Sequence, residues 1–555
     1  MRATGIWDSP ASKLRVDAAP GPPTLISAQE NLPEEAYMTS ANSSDAGGGG
    51  GTDVVVATKL GRVRGRTRNG ISEFWGIPYA APPFGPHRFR APQPARPWDG
   101  VRDALVPGHT VPKPSYAAPF DALIPDVDLP GEDCLNLNVW TPDPSAGGLP
   151  VAVWVHGGAF VHGAGSVPVY AGDRFARDGV VCVTLNYRLG VDGFLHLPDA
   201  IPNRGLLDQI AALEWVRDNI AAFGGDPSAV TLFGESAGAM SAVCLLSIPR
   251  AEGLFRALIA QSGAGHHVLL PGTATRVAGY FGDVLGVPAT AESLADIPVE
   301  RLVAAQVALS NQAALNPDPA RWGEIAANGL VYGPVVDGDV LPAPPIDAIA
   351  AGAGAGVGVL AGANTEEFRL FLVPPGLIGH VDEAFLAIRS TALGLSPDAL
   401  ATYRVGRPDA TPGQLYEAVV TDWFFRIPAI RLLEARADGV PGYAYEFAWR
   451  TPRFDGQLAS CHGLELPFVF DTLDRPGWQS LTGPDAPQAL ADAMHSAWVA
   501  FIRDGDPGWA AYEPDGDPGR AVARFGAGHG EVGAAVVDVV ADPRGVERVL
   551  WEGRR

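Results

Sequence analysis

The run Val230-Thr231-Leu232-Phe233 leads directly into Gly234-Glu235-Ser236-Ala237-Gly238, and Ala237 through Leu246 then reads as a helix. A strand that turns into a helix within three residues is a severe constraint. The turning residue is forced into strained backbone angles, and the flanking positions must be small enough for strand and helix to approach without Cβ clashes. A serine in that turn stands exposed above the carboxyl edge of a sheet, with the helix N-terminus directing partial positive charge at it. The motif alone is weak. In a chain of 555 residues with 67 glycines, chance produces G-x-S-x-G roughly a third of the time. The bland alternative is a serine capping an ordinary helix. The flanking strand and helix make the sharp turn the better reading.

The rest of the chain supplies the sheet that such a turn needs. Short apolar runs read as strands at Val54–Ala57, Leu135–Trp140, Val151–Val155, Val180–Leu185, Val230–Phe233, Leu258–Ala260 and, more weakly, Val357–Leu360. Helical patterns alternate with them. The clearest stripe is Leu206, Ile210, Leu213, Val216 and Ile220, at spacings of three and four. Strands apolar on both faces and separated by helices predict an α/β fold with a central, mostly parallel twisted sheet flanked by helices. The region from Val54 to Phe74 leaves room for an antiparallel pair.

Residues 1–52 read differently. They are rich in Pro, Ser, Ala and acidic residues and end in Gly47–Gly51. Such a segment buries too little apolar surface to offset its ordering entropy, so a disordered tail is expected there. Met38 offers a later start. Residues 53–555 are expected to form one domain.

A second glycine-rich loop follows another strand. Val151–Val155 ends in His156-Gly157-Gly158-Ala159-Phe160. Backbone N–H groups in such a loop face a substrate when side chains there are small, and they stabilise a developing oxyanion. The candidate donors are the N–H groups of Gly158, Ala159 and Ala237.

Charge excludes one class of partner. The net charge is −22, with no basic run, so a phosphate backbone would be repelled and nucleic acid is not expected as a partner. No stretch of 18 apolar residues appears, so no membrane span is expected. The N-terminus lacks the apolar core of a secretory signal. The cysteines, Cys134, Cys182, Cys244 and Cys461, lack metal-ligand spacing; Cys182 and Cys244 lie in apolar runs and read as buried free thiols, which suits a reducing compartment and favours the cytoplasm.

These motifs stand in an order that resembles the type-B carboxylesterase and cholinesterase family, whose fold is the α/β-hydrolase fold with helical insertions over the active site. The resemblance runs from about Asp53 to the C-terminus. It is carried by Gly76-Ile77-Pro78-Tyr79-Ala80, Arg88-Phe89 with Pro92, and Glu132-Asp133-Cys134-Leu135-Asn136-Leu137-Asn138. The loop at His156-Gly157-Gly158 comes next, followed by Asn186-Tyr187-Arg188, Leu206-Leu207-Asp208-Gln209 and Phe223-Gly224-Gly225-Asp226-Pro227 before the serine turn. Two departures stand out. Many secreted members pair the Cys of the Glu-Asp-Cys motif with an upstream Cys; here Cys134 is the first cysteine in the chain, so that bridge cannot form. Cholinesterases carry a Trp shortly before that motif, and residues 120–131 contain none, which argues against choline as the alcohol.

The resemblance implies a Ser-Glu-His triad and an acyl-enzyme intermediate on small, mainly apolar esters, with no metal or organic cofactor. Ser236 is the implied nucleophile. His462, in Cys461-His462-Gly463-Leu464-Glu465, matches the family's base-bearing loop. Glu367, in Gly362-Ala363-Asn364-Thr365-Glu366-Glu367, matches the acid ahead of Glu366, with Asp337 as the runner-up and more like a turn residue. His495 reads as a packing or surface position. Glu235 and Ser262 are second-rank candidates beside the site, and Arg88 with Glu132 resembles a structural ion pair. Phe160, Phe368 and Trp423 are candidate pocket walls, although Trp423 to Phe425 reads equally as helix core. A related acyl-transfer enzyme (amidase, thioesterase or lipase) shares this triad. A non-catalytic binding protein on the same fold is the more distant alternative.

Overall fold

The computed structural model describes residues 51–436, 439–516, 519–528 and 536–554. The segment expected to be a tail lies, up to residue 50, outside the described residues. Among the described residues, thirteen strands form one sheet. In chain order they are β1 (Thr52–Ala57), β2 (Arg62–Arg68), β3 (Ile71–Pro78), β4 (Val101–Asp103), β5 (Asn136–Thr141), β6 (Leu149–Val155), β7 (Val181–Leu185), β8 (Gly225–Glu235), β9 (Ala257–Gln261), β10 (Gly358–Asn364), β11 (Gly442–Phe447), β12 (Ala521–Phe525) and β13 (Val537–Ala541). Their spatial order is β1-β2-β3-β5-β7-β6-β8-β9-β10-β11-β12-β13, with β4 beside β2.

The seven strands β7-β6-β8-β9-β10-β11-β12 run parallel, and antiparallel strands flank them on both sides. This is the α/β-hydrolase arrangement. The physical origin is visible strand by strand. Every residue of β7 and β9 is buried, so both faces need helices, and parallel pairing with helical crossovers supplies them. β1 and β2, which bury only Val56, Val63 and Gly65, are the antiparallel pair that the region before Phe74 allowed.

Three helices matter for the site. The expected stripe from Leu206 lies on α1 (Arg204–Asn219), with Leu206, Ile210, Leu213 and Val216 all buried; Ile220 continues it in a 3-10 turn. Helix α2 (Ala237–Ser247) is buried along its whole length behind the serine turn. Helix α3 (Gln488–Asp504) carries His495, which is buried; its Nδ1 lies 2.7 Å from the Val469 carbonyl and its Nε2 3.0 Å from Asp178 Oδ2. His495 is thus a packing residue. No helix among the described residues is long and apolar enough to cross a membrane.

One expected pairing is corrected. Arg88 does not meet Glu132. Its Nε lies 3.1 Å from Asp192 Oδ1, and its Nη1 donates to the carbonyls of Ala295 and Ile297. Arg88 follows a 3-10 turn at Gly85–His87, which directs the guanidinium to the Asp192 segment. The ion pair at the Glu-Asp-Cys motif is instead Arg102 with Asp133, at 2.5 Å.

Candidate active site

Strand β8 delivers the serine. Val155 at the end of β6 pairs with Gly234 near the end of β8, so the glycine-rich loop and the serine turn emerge side by side. Ser236 takes φ 55 and ψ −123 between strand and helix, a conformation that L-residues adopt only under constraint. The close approach is strict at Gly238, where a Cβ would stand 2.0 Å from the Val155 carbonyl oxygen. The backbone N–H of Ser236 donates to the Gln261 carbonyl at 2.9 Å, and Met240 N–H to the Ser236 carbonyl at 2.9 Å. The turn is therefore fixed from both sides, and the half-buried serine hydroxyl donates to no acceptor among the described residues.

The loop after β6 is shaped the same way. Gly158, Ala159 and Phe160 all have positive φ (113, 53 and 62). The Gly158 carbonyl accepts from the N–H groups of Val161 and His162, which curls the loop. Among the described residues, the N–H groups of Gly158 and Ala159 have no protein acceptor. The N–H of Ala237 opens α2 and so lacks an intrahelical one. His156 is fully buried, with Nδ1 2.8 Å from the Gly157 carbonyl and its ring stacked on Tyr187. Burial pushes its pKa down to about 4, so the loop carries no charge of its own.

The base and the acid come from two loops stapled together. Glu367 follows β10 and is fully buried. His462 Nδ1 lies 2.7 Å from Glu367 Oε2, while the His462 backbone N–H donates to the Glu367 carbonyl at 3.1 Å. Asn364, the last residue of β10, donates its backbone N–H to Glu367 Oε1 at 2.7 Å. Its side chain donates to the Cys461 carbonyl and to Glu465 Oε2. Glu366 points elsewhere, to Thr365 Oγ1 and Arg450. Asp337 serves its own turn, accepting from the N–H groups of Asp339, Val340 and Leu341.

Sequence reasoning missed three features. The first is how closely Glu235 faces the base: its Oε1 lies 3.0 Å from His462 Nε2. The second is Glu465, a third buried carboxyl, which accepts from Gln261 Nε2 at 3.2 Å as well as from Asn364. Burial, and then the charges of Glu235 and Glu367, push Glu465 up to about 8. Burial by itself would depress His462, but Glu235 and Glu367 together hold it well above the ordinary histidine value. The third is Phe371. Its ring lies 5.5 Å from the His462 ring, and it is half-buried beside Phe368 at 5.0 Å and Phe120 at 6.5 Å. The Glu465 signal was present three residues after His462, but nothing in a sequence distinguishes a buried glutamate from a solvated one.

The expected walls divide. Phe368 is half-buried and joins Phe371. Phe160 is fully buried and packs edge-to-face on Phe194 at 5.0 Å, so its ring is core and offers no accessible wall. Trp423 lies in a π-helical turn, Asp422–Arg426, that buries all five residues. Within it Phe425, not Trp423, meets the base, at 4.7 Å between rings. Such turns recur at functional sites because the extra residue re-aims side chains. Ser262, at the end of β9, has φ 50 and a buried hydroxyl without a protein partner.

The family model described as the carboxylesterase family matches residues 52–516. The chain belongs to the carboxylesterase family. It is a carboxylic ester hydrolase. A para-nitrobenzyl esterase of Bacillus subtilis is 39% identical over 476 residues, covering 82% of this chain and 91% of that protein. A phenmedipham hydrolase of Pseudarthrobacter oxydans is 35% identical over 474 residues, covering 82% and 91%. Among solved structures, a carboxylesterase of Geobacillus stearothermophilus superimposes with a TM-score of 0.76 at 39% identity, covering 90% of this chain and 99% of that one.

Proposed function

We propose that this carboxylesterase acts through Ser236 as nucleophile, His462 as general base and Glu367 as the acid that orients it, on small, mainly apolar esters. The observation that carries the reading is the Glu367–His462 pair at 2.7 Å, set beside a serine whose backbone is strained and whose hydroxyl is otherwise unengaged.

In this mechanism Glu367 accepts from Nδ1–H and leaves Nε2 free as a base. His462 takes the Ser236 proton as Ser236 attacks the ester carbonyl. The N–H groups of Gly158, Ala159 and Ala237 stabilise the tetrahedral oxyanion. The alcohol departs with the proton from His462, and a water activated by the same nitrogen releases the acid. Each oxyanion donor is worth about 10²–10³ in rate. The apolar part of the substrate lies against Phe368 and Phe371, since small-molecule sites are mostly apolar with a few polar groups. Four buried free thiols favour a reducing, cytoplasmic setting.

The test is the rate of wild type and Ser236→Ala on p-nitrophenyl acetate through octanoate, with matched amides and thioesters alongside. Ester cleavage should vanish in the variant, by roughly 10⁶-fold. A folded Ser236→Ala enzyme that retains its rate excludes the assignment.

A further inference from the structure

We propose that Thr421 is a positioning residue for ester hydrolysis. Its hydroxyl holds the peptide that carries Glu367 in register with the turn that sets Phe425 against His462. The proposal rests on the reading of Ser236, His462 and Glu367 as the triad.

Thr421 is fully buried and stands at a junction. It closes the helix Pro412–Thr421, and the π-helical turn Asp422–Arg426 begins at the next residue. One side of the junction faces the acid. The backbone N–H of Phe368, the residue directly after Glu367, donates to Thr421 Oγ1 at 3.1 Å. Among the described residues that N–H has no other acceptor, since the short helix Arg369–Leu372 starts only after it. The other side faces the base, where the Phe425 ring lies 4.7 Å from the His462 ring.

The Glu367–Phe368 peptide is thereby clamped at both edges. Its carbonyl accepts from the His462 N–H at 3.1 Å, and its N–H donates to Thr421. A peptide unit is planar and turns as one body. With both edges held it cannot tilt, and the Glu367 side chain that springs from it keeps its line to Nδ1 of His462. Without the Thr421 hydroxyl one edge is free, and the carboxylate can swing with the plane.

The polarity of this bond is fixed. A backbone N–H can only donate, and a threonine hydroxyl carries one proton. That proton goes to Oε1 of buried Glu417, one helical turn earlier, at 2.6 Å. Threonine inside a helix often turns its hydroxyl to the carbonyl four residues back. Here the Glu417 side chain takes the proton and leaves a lone pair for Phe368. Glu417 is itself held, with Oε2 3.6 Å from Arg369 Nε, and Arg369 Nη1 donates to the Gln457 carbonyl at 2.9 Å. The chain of contacts so returns to the stretch that leads to His462.

The experiment compares Thr421→Val, which removes the hydroxyl and keeps the shape, with Thr421→Ser, which keeps the hydroxyl. kcat and KM on p-nitrophenyl butyrate are measured per active site, with sites counted by the end point of fluorophosphonate labelling. Thr421→Val should lower kcat per site by about tenfold or more and change KM less, as expected of a misplaced catalytic group. Thr421→Ser should recover most of the loss. A purely structural role would lower the number of sites and leave kcat per site where it is. In a Glu367→Gln background Thr421→Val should cost little more, because the group it positions is already lost. Unchanged kcat per site in Thr421→Val overturns the proposal, as does a Thr421→Ser enzyme equally slow, or full additivity with Glu367→Gln. If Thr421→Val does not fold, Thr421→Ala is read against Thr421→Ser in the same way. Ser236→Ala keeps the two readings apart. Loss of its activity with an unimpaired Thr421→Val sinks only the positioning role, whereas retained activity sinks the triad itself.

Discussion

The backbone N–H of Asn364 donates to Glu367 Oε1 at 2.7 Å, which commits that oxygen and leaves Oε2 for His462. The acid is thus oriented by main chain at the end of β10. In Glu367→Gln the amide oxygen should keep the Asn364 bond and turn its NH₂ toward Nδ1. The ring would then carry its proton on Nε2, the wrong tautomer for accepting from serine. We expect kcat to fall by about 10⁴, the order of loss when the acid of such a triad becomes an amide and fixes the wrong histidine tautomer, with thermal unfolding little changed. A loss below tenfold would remove Glu367 from the mechanism.

Glu465 predicts a dependence of stability on pH. Its carboxyl is held up to about 8 in the folded chain against 4.5 as the ordinary value. Between those values the folded state binds the extra proton, so stability is full below pH 4.5 and declines as pH rises toward 8. Glu465→Gln cannot ionise and should flatten that decline. Melting temperature against pH, from 5 to 8.5, reads the difference as a gap that widens with pH in favour of the variant. Parallel curves would contradict the assignment.

Lys113 predicts an asymmetric cost. Its side chain is 1% exposed and its Nζ meets both Asp126 oxygens, at 2.6 and 2.7 Å. Removing the acid strands a buried ammonium, so Asp126→Ala should lower stability by about 3 kcal/mol. The double variant with Lys113→Met should recover much of that loss. Denaturant midpoints of the three proteins decide it, and equal midpoints for single and double variants would refute it.

The aromatic wall predicts a ranking. Phe371 is half-buried and borders the base, whereas Trp423 is buried in the π-helical turn. Phe371→Ala should shift the preferred acyl chain among p-nitrophenyl esters more than Trp423→Ala does. Trp423→Ala should act mainly on stability, by about 3–5 kcal/mol. Equal shifts in chain preference would place both rings at the wall.

Much of this architecture is legible in the sequence because the physics is local. A strand such as β7, buried throughout, is mostly apolar on both faces, and the turn at Ser236 needs Gly234 and Gly238 at fixed offsets. Seven strands and helices α1 and α2 follow from such signals. β11 was harder to see: Gly442-Tyr443-Ala444-Tyr445-Glu446-Phe447 buries a glutamate whose pairing with Arg426, Arg524 and Arg544 is tertiary and leaves no periodic trace. The same holds at the site. Glu367 and His462 were found through a resemblance of motifs, since 94 residues separate them in the chain. The approach of Glu235 to His462, and the role of Phe371 beside it, depend on distances that no spacing encodes. Arg88 met Asp192 for the same reason.

The contact between Gly238 and the Val155 carbonyl has one further consequence. The oxyanion loop and the serine turn hang from neighbouring strands that touch backbone to backbone, with no side chain between them to rearrange. The two halves of the site therefore have no means of separating while β6 and β8 remain paired. Thermal inactivation should accordingly coincide with melting of the sheet, so that residual activity after heating serves as a count of intact molecules.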